Sequence, residues 1–131
     1  KGYLFTIGDA DCHPNLSAGA IKRIFDDDTH GFTSEKLASL AGEKYEVFHI
    51  HIQSSMDRPP RKMAEILPGR ILCISKQAVS HLPEIIISVM ELVNGKDMEE
   101  VISQWPSLSQ PVVKYAVKDI VLKQPKKGFF F

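Results

Sequence analysis

Long apolar runs are missing from this chain of 131 residues, and none approaches the 18 or so residues that a membrane-spanning helix needs. No leading stretch has the basic, apolar and small-residue order of a secretory signal. A soluble, cytosolic protein is therefore the expectation, with no membrane partner. Cysteine is scarce. Cys12 and Cys73 cannot make a disulfide framework, and Cys73, inside Ile71-Leu72-Cys73-Ile74, reads as a small buried hydrophobe. Charge of one sign is not in excess either: 16 Lys and Arg balance 16 Asp and Glu. Without a basic surplus nothing argues for a nucleic-acid partner. The small basic groups, Arg58/Arg61/Lys62 and Lys123/Lys126/Lys127, read as solvated surface. A glycine-rich phosphate loop, a Gly-x-Ser-x-Gly nucleophile elbow and internal repeats are all lacking.

What is present suits one domain over residues 1–122, followed by a tail at 123–131 that ends in three phenylalanines. Residues 3–8 read as a buried strand that stops at Gly8-Asp9. Residues 17–26 carry Ile21, Ile24 and Phe25 at helical spacing, with Asn15 or Ser17 as cap. Residues 34–42 form a second helix with Leu37, Leu40 and Ala41 on one face. Residues 45–53 are the clearest strand: Val47, His49 and His51 share one face, Phe48, Ile50 and Ile52 the other. Pro59-Pro60 breaks the chain, residues 61–67 make a short helix, and residues 70–75 a third strand. A helix over 80–93 follows, capped by Ser80 and ended by Asn94-Gly95. Asp97 with Glu100 opens a short helix, and a last helix begins near Ser109. Helices between strands imply right-handed crossovers and a mostly parallel sheet. Three strands are few for such a sheet, so the expected fold is α/β, a Rossmann-like three-layer sandwich whose first strands lie outside this sequence.

Three clusters have the residue types that carry chemistry. Asp9, Asp11 and His13, at alternate positions after the first strand, offer oxygen and imidazole ligands to a cation such as Mg²⁺; the alternative is a turn whose carboxylates accept backbone N–H bonds. Asp26, Asp27, Asp28 and His30 lack the ligand spacing of a calcium loop and read as solvated. His49, His51 and Gln53 share a strand face and can chelate Zn²⁺ or place a nucleophilic imidazole; the alternative is a strand face packed under a helix. This string resembles the His-x-His-x-Gln of the nucleotidyltransferase branch of the histidine-triad superfamily. The resemblance implies a nucleotide hydrolase or transferase with His51 as nucleophile, although Ser54-Ser55-Met56 replaces the apolar continuation. Cys12 beside His13 is a conceivable thiolate pair, but adjacent residues seldom face each other.

Taken together, Tyr3-Leu4-Phe5-Thr6-Ile7-Gly8-Asp9-Ala10-Asp11-Cys12-His13, the helix and strand over 34–52, and the strand and helix over 70–95 resemble the C-terminal half of a von Willebrand factor A (VWA) domain. They look most like its bacterial and intracellular branch. The resemblance implies a non-catalytic protein-binding or adaptor module with a protein partner; a further alternative is a structural subunit of an assembly, an oligomer included, that docks another chain through an exposed edge strand and the Phe-rich tail. The resemblance also implies a metal-ion-dependent adhesion site for Mg²⁺, in which Asp9 matches the aspartate after the fourth strand. The Asp-x-Ser-x-Ser string and the threonine of that site have no counterpart here, so a working site is expected only if an upstream segment completes it.

Overall fold

The computed structural model describes residues 1–54 and 60–122. Three parallel strands form the sheet, in the order β1 (Gly2–Gly8), β4 (Tyr45–Gln53), β5 (Ile71–Ser75). A two-residue antiparallel bridge joins β2 (Asn15–Leu16) to β3 (Phe32–Thr33). Between β1 and β4 run α1 (Ala18–Phe25) and α2 (Ser34–Lys44); between β4 and β5 runs α3 (Arg61–Ile66). After β5 come a 3₁₀ turn (Lys76–His81), α4 (Leu82–Val93), α5 (Met98–Ser103) and α6 (Gln110–Val117). This is a mixed α/β fold, a parallel sheet flanked by helices in the manner of a Rossmann-like sandwich.

Register explains the core. Phe5 pairs with Phe48, Ile7 with Ile50, Ile50 with Leu72 and Ile52 with Ile74. Paired residues of a sheet share a face, so these side chains make one apolar surface. Against it pack Ile85, Val89 and Leu92 of α4, Val101 of α5, and Val113, Ala116 and Val117 of α6. Each such side chain, fully buried, contributes about 1.5–3 kcal/mol. Two polar contacts tie this layer together. The Trp105 indole N–H donates to Oγ of buried Ser88 at 2.8 Å. Tyr3 is tied to α4 where the Asn94 amide donates to its hydroxyl at 2.8 Å.

The other sheet face carries Thr6, Val47, His49, His51 and Cys73, and α2 packs along β4. This layer is thin. Ile21 is the buried residue of α1, and α2 has none; Leu37 and Leu40 remain more than a third exposed. Cys73 is half-buried, not enclosed, because it points to this thin layer, whereas Leu72 and Ile74 of the same strand point to the other face and are buried.

One of these sequence expectations needs correction, and two others become definite. Ser80 does not cap α4: the helix begins at Leu82 after the 3₁₀ turn, and Ser80 Oγ instead donates to the Gln77 carbonyl. Of the two caps expected for α1, Ser17 takes the position, accepting from Ala20 N–H, while Asn15 is taken into the bridge with Thr33. The aspartates after α1 are exposed, as expected of a solvated loop, and Lys22 reaches Asp26 at 2.9 Å and Asp28 at 3.2 Å. Asp26 itself adopts φ 53°, closing the helix in the left-handed conformation. Arg58 and the tail from Lys123 onward lie outside the described residues.

Candidate functional site

The chain leaves the carboxyl end of β1 at Gly8 and enters the loop that holds Asp9, Asp11 and His13. In open α/β sheets this end of the strands is where ligands bind. The three residues do not act as one group. Asp9 is exposed and makes no ion pair among the described residues. Asp11 turns back and accepts three backbone hydrogen bonds, from Lys62 N–H at 2.8 Å, Met63 N–H at 2.8 Å and Cys12 N–H at 2.9 Å. Lys62 and Met63 belong to the first turn of α3, whose own cap residue, Pro60, supplies no side-chain bond. Asp11 thus caps a helix from a distance of 51 residues in sequence. Some loss of hydration pulls its pKa up, but the N–H groups of Lys62, Met63 and Cys12 outweigh this and hold it below the usual value. His13 is exposed, and its carbonyl accepts from Ser34 Oγ, fastening the loop to the start of α2. Lys62 also pairs with Glu35 of α2, so loop, α2 and α3 form one polar cluster.

The residues of this chain do not by themselves fit a Mg²⁺ site. A hard cation takes six or more oxygens, and here Asp9 offers a single free carboxylate while both oxygens of Asp11 are engaged. Among the described residues, no three His, Cys, Asp or Glu side chains converge as a metal would require. Cys12 is a thiol, not a thiolate. Burial, then the Asp11 carboxylate, raise its pKa.

His49 and His51 stand beneath this loop, each 3 % exposed. Their rings are tilted against one another, with centroids 5.9 Å apart. His49 Nδ1 meets Thr6 Oγ1 at 2.9 Å, whereas His49 Nε2 and both nitrogens of His51 are buried without a hydrogen-bond partner. Burial, then His51, lower the pKa of His49, so both its surroundings and its neighbour favour the neutral ring. This is the strand face packed under a helical layer. A histidine nucleophile needs access that the 3 % exposure of His51 denies.

One concavity had no sequence signal. A cleft of about 420 Å³ opens at the carboxyl end of β5, between Ile74, Ser75, Gln77, His81 and Tyr115. It lies where the 3₁₀ turn separates β5 from α4 and where α6 packs against both the turn and β5. Nothing periodic in residues 76–81 foretells such a turn.

Comparison with protein-family models, with curated proteins and with solved structures gave no match.

Proposed function

We propose that this chain is a non-catalytic, protein-binding module of VWA type. The observation that carries the reading is the position of Asp9: exposed, just past the carboxyl end of β1, in a parallel sheet with helices on both faces. A carboxylate there is placed to join oxygen ligands from neighbouring strand ends around a cation whose open position takes a partner's carboxylate. The neighbouring ligands are not within the described residues, so cation dependence belongs to a longer chain in which an upstream Asp-x-Ser-x-Ser segment completes the site. The partner is a protein; the balanced net charge supplies no attraction for nucleic acid.

Titration with Mg²⁺, followed by calorimetry and by amide shifts at residues 8–13, tests this. The 131-residue chain is expected to respond little. A chain extended by a segment carrying Asp-x-Ser-x-Ser is expected to bind Mg²⁺ and to lose that binding in Asp9→Ala. Indifference of the extended chain to Mg²⁺ would remove the metal-dependent form of the reading.

A further inference from the structure

We propose that the cleft at the carboxyl end of β5 binds a nucleobase, alone or as its nucleoside. This goes beyond the VWA-type reading and does not rest on it. The cleft lies past the strand ends, where open α/β sheets hold their ligands. Its volume of about 420 Å³ falls within the range of small-molecule sites, roughly 300–1,000 Å³. Its apolar lining comes from Ile74 of β5, Ala78 of the 3₁₀ turn, and Pro111 and Val112 of α6. Ser75, Gln77, His81 and Tyr115 supply polar groups that the fold leaves unused. Ser75 stands at the N-cap of the turn, yet its hydroxyl caps nothing. His81 Nδ1 is buried without a hydrogen-bond partner, and the Glu84 carboxylate stands off at 3.7 Å. The Gln77 amide and the Tyr115 hydroxyl likewise bond to nothing among the described residues. In the concavity at the amino end of the sheet, by contrast, the charged groups pair with one another, Arg70 with Glu46 at 2.7 Å. A buried nitrogen left unpaired costs free energy that the polar edge of a ligand can offset.

The lining selects the ligand. No aspartate, glutamate, lysine or arginine is part of it, so a phosphate, a carboxylate or an ammonium group would enter without a counter-charge. An alkyl chain would leave four polar side chains idle. A sugar would set its hydroxyls against Ile74, Ala78 and Val112. Hydroxyl, carboxamide and neutral imidazole groups each both donate and accept. Their complement is an uncharged ring that carries donors and acceptors on its edge and apolar surface on its faces, which describes a nucleobase. Tyr115 adds the aromatic surface on which bases stack; it is 52 % exposed, and Lys118 Nζ stands over its ring at 4.4 Å.

Titration of the isotope-labelled 131-residue chain with adenosine, inosine, cytidine and uridine, followed by amide shifts, tests the proposal. The expected result is saturable binding of at least one nucleoside, with a dissociation constant on the order of 0.1 mM. The shifts gather at residues 74–81 and 112–115. Tyr115→Ala removes the stacking surface and weakens binding on the order of ten-fold. Gln77→Ala removes one hydrogen-bonding group and weakens it about three-fold. Both residues are exposed, so each variant keeps the fold, which circular dichroism checks. The 5′-monophosphate of the bound nucleoside binds no more tightly than the nucleoside itself. Absence of saturation by all four nucleosides at millimolar concentration overturns the proposal. So do shifts that gather elsewhere, full affinity in Tyr115→Ala, or a monophosphate that binds more tightly. Tighter binding of N-acetyltryptophanamide than of any nucleoside also overturns it, and gives the cleft to the side chain of a protein partner.

Discussion

Asp11 shows how one residue can be chemically right and functionally misread. A carboxylate two places from Asp9 and two from His13 has the spacing of a ligand, yet its oxygens are spent on the first turn of α3, a contact no local pattern encodes. The turn reading, in which the carboxylate accepts backbone N–H bonds, described its chemistry but not its partner. Removing it leaves two N–H groups of α3 uncapped. Asp11→Ala is expected to lower stability by about 1 kcal/mol, within the roughly 0.5–2 kcal/mol that separates capped from uncapped helices, and Asp11→Asn by less. Urea denaturation of the two variants measures the difference. An Asp11→Ala midpoint equal to that of the parent would mean that water replaces the cap without loss. His49 and His51 taught the opposite lesson. Their shared face was visible from alternation alone, and so was Phe48 on the other side. Packing of that face under a helix was one of the two readings open, and the 3 % exposure of each ring decides for it.

At the scale of elements, most of the architecture was legible, and for a clear reason. The strand over 45–53 and the helix that ends at Asn94-Gly95 carry strong alternation or a strong stripe between clear stops. The β2–β3 bridge and the 3₁₀ turn escaped because two-residue pairings and single tight turns have no period to detect. The two helical layers differ sharply in what they bury. α4 and α6 bury seven residues between them, four and three, whereas α1 and α2 bury Ile21 alone. Few buried contacts mean a low free energy of local opening. Hydrogen exchange should therefore reach amides of α1 and α2 well before those of α4, α6 and β4. Equal protection across both layers would show that the polar cluster of Asp11, Lys62 and Glu35 holds the thin layer as firmly as apolar packing holds the thick one.

For the whole molecule, the pH dependence of stability follows from two groups with the same sign. His49 is held neutral by burial and by His51, so its folded pKa lies below the unfolded value near 6.5. The unfolded chain then binds the extra proton. Stability is full above about 6.5 and declines below it, by up to about 1.4 kcal/mol per pH unit until the folded pKa is passed. Asp11 has a lowered pKa as well, so its contribution is present above the unfolded value of about 3.9 and is lost below that. Thermal unfolding between pH 8 and pH 3 should show a first decline beginning in the range of histidine and a second in the range of carboxylates. His49→Gln should flatten the first decline and leave the second. A parent curve level between pH 7 and pH 5 would contradict the first part. The order of the strands has a consequence in time as well as in space. Gly2 pairs with Tyr45 and Gly8 with His51, so β1 finds its neighbour only after a long stretch of chain has closed behind it. The layer of α4, α5 and α6 is built from helices close together in sequence, α4 on α5, α5 on α6 and α4 on α6. Non-local parallel pairing is slow and local helix packing fast, so β1 waits without β4 while the rest condenses. For that interval, dilution is what keeps a refolding chain pairing with itself rather than with its neighbour.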